Sequence, residues 1–323
     1  MRIAILDDYL EVARELADWS RLPPDSELTV FHQPIGDEDA LAATLAPFDI
    51  VCLMRERTPM LAGLIARLDN LKLIVTTGRR NFSIDVAAAN ERGIVVSGTP
   101  GRHAAPAELA FLHLMALARG LAAEATSMRG GGWQVALGRE LSGLTLGLVG
   151  LGGLGRQVAR FGRAFNMKVI AWSENLTREQ AEKEGAELVG KEELFRSADF
   201  VEVLLRLSPR TVGLVGASEI ALMKPDACLI NISRGPIVDT GALCAALEAG
   251  RIAGAGLDVY DEEPLPADSP LRRVPNLLLT PHIGYATREA FDVFYPATLD
   301  CVLAFLDGKP VNVLGPEAGR TAS

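Results

Sequence analysis

Residues 145–159 read TLGLVGLGGLGRQVA: a strand, a glycine turn and a helix, in that order. Leu146, Leu148 and Val149 make a short apolar run. Gly150, Gly152 and Gly155 follow at the G-x-G-x-x-G spacing, and Val158, Phe161 and Phe165 recur at a helical interval. The spacing has a physical reason. One glycine turns the chain tightly out of the strand, one lets a pyrophosphate approach the backbone, and the third lets helix and strand pack closely, which aims the helix N-terminus at the anion. Gly153 and Leu154 complete the turn. A second apolar run at 168–172 stands where a βαβ unit needs its next strand. The stretch predicts a dinucleotide site; a glycine triplet without its strand and helix would predict only a turn.

Upstream, the chain alternates in the same way. Residues 2–6, 28–31, 50–54 and 71–76 read as strands, with helices expected over 12–19, 39–45 and 61–68. Alternation predicts a parallel sheet covered on both faces, and ligands bind such sheets beyond the carboxyl ends of the strands. Arg55 follows the third of these strands, and Gly78, Arg79 and Arg80 follow the fourth, so these four are candidate contacts for an anionic substrate. Residues 106–119 are apolar nearly all round, as suits a helix buried on most sides in a domain seam or subunit interface. Gly130-Gly131-Gly132 then breaks the chain before Trp133, as a connector would.

At 323 residues the chain has room for two domains, and 49% hydrophobic with 23% charged residues describes a globular protein with a substantial core. A formal charge of −9 argues against a nucleic-acid partner. No apolar stretch is long enough to cross a membrane, and MRIAILDD runs straight into a strand rather than a signal peptide, so a cytoplasmic location is expected. Cys52, Cys228, Cys244 and Cys301 lie scattered in apolar runs and read as reduced core thiols. His32, His103, His113 and His282 lack metal-ligand spacing, and no metal is expected.

The strand at 168–172 ends in Ser173-Glu174. An acid near this point usually bonds the adenosine ribose and favours NAD. Glu174 stands one place late, while Ser173, with Arg178 nearby, leaves room for NADP. Thr177 and Gln180 have the spacing of a helix cap. Further strands are expected at 199–205, 227–232, 254–259 and 277–279, and the last three end in complementary polar groups. Ile232 and Arg234 follow one, Asp258 closes the next with Glu262 and Glu263 beyond it, and His282 follows the third. Neighbouring parallel strands would bring these ends to one crevice. The set suits reduction of a 2-keto acid. Arg234 would grip the carboxylate and polarise the carbonyl, and His282 would give a proton as hydride arrives from a nicotinamide. A carboxylate partner would orient the imidazole and keep an acid at hand.

The chain resembles the D-isomer-specific 2-hydroxyacid dehydrogenases, a family that includes D-3-phosphoglycerate dehydrogenases and glyoxylate/hydroxypyruvate reductases. The resemblance runs over almost the whole length, through LDDY, SGTPG, TLGLVGLGGLG, ALMKPDACLINISRGPIVD, GAGLDVYDEEPLP, LLLTPHIGYAT and GKPVNV. It implies that Arg234, Glu263 and His282 are the catalytic residues and that Asp258 contacts the nicotinamide. Gly150, Gly152, Gly153, Leu154, Gly155, Ser173, Glu174 and Ile232 then line the rest of the cofactor site. The implied fold is α/β, with two doubly wound parallel-sheet domains. In it a Rossmann domain (101–287) is inserted into a flavodoxin-like substrate domain (1–100 and 288–323). The implied activity is hydride transfer between NAD, or NADP, and a small anionic D-2-hydroxy acid or its 2-keto partner, in a homodimer. An NAD(H)-sensing corepressor-like protein and a formate- or phosphite-type dehydrogenase are the alternatives on this scaffold. Departures from the family pattern stand at four places. Arg80 replaces the second glycine of the usual GxGxDNID loop, Gly153 replaces a common arginine, Ser173 replaces the usual ribose-binding acid, and His103 replaces a smaller polar residue near the cleft.

Overall fold

The structure is a computed structural model that describes residues 1–102 and 104–318; His103 lies outside the described residues. The chain divides into two compact units, one formed by Met1–Arg102 with the segment from Ala286 onward, the other by the residues between, up to Tyr285.

In the first unit β1 (Arg2–Ile5), β2 (Glu27–Val30), β3 (Ile50–Leu53), β4 (Leu73–Thr76) and β5 (Val95–Gly98) form one sheet in the order β2-β1-β3-β4-β5. Every pairing is parallel. β3 and β4 are buried along their full length, which is why they read as unbroken apolar runs rather than alternating ones. The helix Glu38–Leu45 starts where the Asp37 carboxylate accepts from the Ala40 N–H at 2.9 Å, and sets Leu41 and Leu45 against Val51 and Ile74 in the core. The long C-terminal helix Arg288–Leu306 returns to this unit and packs against β4 and β5; its Tyr295 hydroxyl donates to Asp8 Oδ1 at 2.9 Å.

In the second unit β6 (Thr145–Val149), β7 (Lys168–Trp172), β8 (Glu187–Leu188), β9 (Phe200–Val203), β10 (Cys228–Asn231), β11 (Gly254–Leu257) and β12 (Leu277–Leu279) follow the order β12-β11-β10-β9-β6-β7-β8. All are parallel. The order reverses between β6 and β9, so the crevice beyond their carboxyl ends is a topological switch point, where open α/β sheets hold ligands. Helices Ala105–Ala118 and Gly153–Ala164 cover one face and Lys191–Ser197, Ala217–Leu222 and Thr240–Glu248 the other, each face closing its own apolar cluster.

Several elements differ from the sequence expectation. The helix expected at 12–19 spans only Ala13–Leu16, because Ala17 turns extended and the Trp19 indole N–H donates to the Ala13 carbonyl at 2.8 Å. The helix expected at 61–68 covers Ala62–Ile65. Helix Leu121–Arg129 was not anticipated, since its mixed Ala, Glu, Thr and Ser composition shows no apolar stripe. Helix Ala105–Ala118 buries Ala107, Ala110, Phe111 and Leu114, yet Leu112 (53% exposed) and Met115 (39%) face outward in the single chain. The Thr177/Gln180 cap is present as a reciprocal capping box. All four cysteines are free thiols, three buried and Cys244 half-buried. Among the described residues no single helix is long and apolar enough to cross a membrane.

Candidate active site

β6 delivers its chain into the glycine turn at Gly150, whose φ of +110° lies in the region that favours glycine. A Cβ on Gly155 would collide with the Gly150 carbonyl oxygen, so the third glycine lets the helix Gly153–Ala164 close onto the turn. Gly152 and Gly153 are different: a Cβ on either would meet nothing within 4 Å. The protein itself does not need those two to be glycine. The open space lies at the start of a twelve-residue helix that has no side-chain cap, which suits a pyrophosphate drawn to its free N–H groups. Leu154 is half-buried beside the turn. Ser173 and Glu174 follow β7, the first half-buried and the second exposed, and Ile232 is buried just past β10. The residues of this crevice therefore fit a dinucleotide.

The polar groups expected at the far strands also sit where parallel pairing puts them. Past β10, the Asn231 side chain braces the loop from inside. Its Nδ2–H donates to the Arg234 carbonyl at 2.9 Å, and its Oδ1 accepts from the Ser233 N–H at 3.0 Å. The Ser233 hydroxyl reaches back to the Val203 carbonyl of β9 at 2.8 Å. Arg234 is thus held on a braced loop, its Nη1–H donating to the Ser233 carbonyl at 2.5 Å. Gly235 lies so close to the Tyr260–Asp261 peptide that any side chain there would overlap it, which joins the Arg234 loop to the loop that carries Glu263.

Glu263 accepts from the Tyr260 N–H through Oε1 at 2.9 Å, and its Oε2 lies 2.5 Å from His282 Nδ1. Both side chains remain partly open, 18% exposed for His282 and 23% for Glu263. The His282 ring meets the Tyr285 ring edge to face, with centroids 5.8 Å apart. His282 itself has a left-handed backbone, φ 51°, an uncommon state for a residue with a side chain. Asp258 underlies that turn: Oδ1 accepts from the Ile283 N–H at 2.8 Å and Oδ2 from the Gly284 N–H at 2.9 Å. Burial pushes the Asp258 carboxyl above its ordinary range, opposed by the donors from Thr280, Ile283 and Gly284 and by the nearby His282 charge.

In the first unit, Arg55 and Gly78 come together at the ends of β3 and β4. The Arg55 N–H donates to Thr77 Oγ1 at 2.8 Å, its Nη1–H donates to the Thr77 carbonyl at 3.2 Å, and the guanidinium lies over Gly78. Arg79 and Arg80 follow as exposed side chains. Asn81 is fully buried and ties this loop down through the Arg55 carbonyl and Thr76 Oγ1, at 2.5 and 2.8 Å.

Sequence reasoning did not single out the bracing residues Asn231, Ser233, Tyr260 and Thr280. Asn231, Ser233 and Thr280 sit inside motifs already quoted, and their polarity at the end of an apolar strand was the available signal.

A family model described as "D-isomer specific 2-hydroxyacid dehydrogenase, NAD binding domain" matches residues 111–284. A glyoxylate reductase of Thermococcus litoralis is 39% identical over 265 residues, covering 79% of this chain and 80% of that one. A D-3-phosphoglycerate dehydrogenase of Methanocaldococcus jannaschii is 39% identical over 74% of this chain but only 46% of its own length. Among solved structures, a phosphoglycerate oxidoreductase from Vibrio cholerae O395 superposes with a TM-score of 0.89 at 37% identity, covering 95% of this chain and 99% of that one. The fold, the NAD-binding domain and the sequence agree, and the chain belongs to the D-isomer-specific 2-hydroxyacid dehydrogenase family.

Proposed function

We propose that Arg234, Glu263 and His282 are the catalytic residues of this dehydrogenase and that its substrate is a small 2-keto acid of the glyoxylate or hydroxypyruvate kind, reduced to the D-2-hydroxy acid. The observation that carries the reading is the 2.5 Å pairing of Glu263 with His282 Nδ1, beside a loop that presents Arg234. When bound, the reduced nicotinamide supplies hydride. The residues that would hold it are the turn Gly150–Gly155, Ser173, Glu174, Ile232 and Asp258. The protein's own part is then positioning and proton transfer. Arg234 offers a fork of N–H donors that matches a carboxylate and draws charge toward the keto oxygen. His282 gives its Nε2 proton to that oxygen as the alcohol forms. Glu263 holds Nδ1, so Nε2 faces the substrate and the imidazolium is stabilised while it carries the proton.

Arg55, Gly78, Arg79 and Arg80 complete the proposal as contacts of the substrate's anionic groups. Arg80, in place of the family's second loop glycine, either adds a contact for a second anionic group, such as the phosphate of 3-phosphohydroxypyruvate, or narrows the pocket toward the small singly charged keto acids. Ser173 in place of the ribose acid lets NADPH be used as well, while Glu174 keeps NADH preferred. A cytoplasmic homodimer is part of the same reading. The apolar side chains left exposed at Leu121, Met128, Trp133, Val135 and Leu137 suit a contact between copies, and sedimentation would give the assembly mass. The test of function is oxidation of NADH and NADPH against glyoxylate, hydroxypyruvate, pyruvate and 3-phosphohydroxypyruvate. Turnover of at least one keto acid, fastest with NADH, is expected. Tight NADH binding with no turnover of any of the four would overturn the substrate assignment.

A further inference from the structure

Helix Ala105–Ala118 carries one imidazole in an otherwise apolar face. His113 is 1% exposed, and its ring lies against Gly256 on β11, where a Cβ would come within 2.7 Å of Nδ1. Nδ1 has no hydrogen-bond partner. Nε2 lies 2.9 Å from Thr280 Oγ1, and the Thr280 hydroxyl donates to Asp258 Oδ1 at 2.6 Å. A threonine hydroxyl has one proton to give. That proton is committed to Asp258, so the partner at His113 must itself be the donor. His113 is therefore the neutral Nε2–H tautomer with Nδ1 bare. Burial agrees with this, holding the imidazole down to about 4.

The hydrogen bonds then run in one direction, from His113 Nε2–H to Thr280 Oγ1–H to Asp258. The same Asp258 carboxylate accepts the two N–H groups that follow His282. The Thr280 carbonyl is fixed as well, accepting the Tyr260 hydroxyl at 2.8 Å and the His282 N–H at 3.0 Å. His282 holds a left-handed backbone state that persists only where its surroundings over-determine it.

We propose that His113 is a positioning residue for His282, acting through Thr280 and Asp258 to hold the 282–284 turn in place. Its Nε2–H orients the Thr280 hydroxyl, the hydroxyl orients the carboxylate, and the carboxylate fixes both amides after His282. The proposal rests on His282 as the proton donor, and the experiment separates the two. Kinetics are measured for His113→Leu, His113→Gln, Thr280→Val, the His113→Leu/Thr280→Val pair and His282→Ala, with NADH affinity and melting temperature taken for each. Glutamine can place an amide N–H near the position of Nε2.

Loss of one net hydrogen bond predicts a fall of about tenfold in kcat for His113→Leu, with KM within about twofold. His113→Gln should recover most of the rate. The double variant should be no slower than Thr280→Val alone, because both changes cut the same chain. In the wild-type protein, ¹⁵N NMR of His113 should show the neutral Nε2–H tautomer whether or not cofactor is present. Equal impairment of the Leu and Gln variants in step with melting temperature, additive effects in the double variant, or an Nδ1–H tautomer would each overturn the proposal. A fully active His282→Ala would overturn the catalytic reading first, and the role of His113 with it. A crippled His282→Ala beside a wild-type His113→Leu would overturn only the latter.

Discussion

Replacing Glu202 with Gln should stabilise the protein increasingly as pH rises from 5 to 8. Glu202 sits in β9 in the middle of the second sheet, paired in register with Leu148 and Ile230, and its side chain is fully buried. Neither carboxyl oxygen has a hydrogen-bond partner. Burial alone pushes its pKa up to about 8 from an ordinary 4.5. The folded protein therefore keeps a proton that the unfolded chain releases. With more protons bound in the folded state, stability is full below the ordinary value and falls as pH rises toward the folded one. The slope approaches ~1.4 kcal/mol per pH unit, which amounts to about 3 kcal/mol at pH 7 as an upper figure. Glutamine has nearly the same shape, leaves polar atoms in the same place and titrates in neither state. Urea unfolding of both proteins at pH 5, 6, 7 and 8 reads the difference directly. Asp258 titrates in both and cancels. A difference that stays flat across this range, or that favours the wild type more at pH 8 than at pH 5, would refute a buried, protonated Glu202.

Other outcomes follow from the same geometry. Gly155→Ala forces a Cβ into the Gly150 carbonyl, so it should lower stability by about 1–3 kcal/mol and weaken NADH binding together, read by unfolding and by fluorescence titration. Ser173→Asp should raise the ratio of NADH to NADPH efficiency; an unchanged ratio would mean another group reads the ribose. Arg80→Gly should raise KM for 3-phosphohydroxypyruvate more than for glyoxylate, and equal changes would remove Arg80 from substrate selection. Acidification should also cost stability through His113. Its folded pKa of about 4 lies below the ordinary 6.5, so its contribution is present above 6.5 and is lost as pH falls toward 4. His113→Leu should flatten that part of the acid-unfolding curve.

Much of this architecture was readable because it is local. The order strand, glycines, helix between Thr145 and Ala164 needs no distant contact to be recognised, and the apolar runs of β3, β4 and β10 follow from burial on both faces. What was not readable depends on partners far apart in sequence. His113 and Thr280 are 167 residues apart and meet only because helix Ala105–Ala118 crosses the sheet at Gly256. In the sequence, His113 is, with Glu108, one of two polar letters in an apolar helix. Glu202 was equally silent, one acid in a strand whose neighbours are apolar, and its unpartnered burial is a property of the packed sheet. The short helix Ala13–Leu16 was overrun in expectation because the indole of Trp19, which closes it, looked like one more helical apolar residue. Of the candidate site, the identities at the ends of β10, β11 and β12 were legible, while the bracing by Asn231, Ser233 and Tyr260 was not.

The central claim is that His282, held by Glu263, gives the proton. It is tested most directly by the single-turnover rate of His282→Ala with saturating NADH and keto acid, measured beside its NADH affinity. A positioned acid contributes about 10²–10⁴-fold. The account predicts a loss in that range with NADH affinity unchanged, and a variant that reduces the keto acid at the wild-type rate would contradict it.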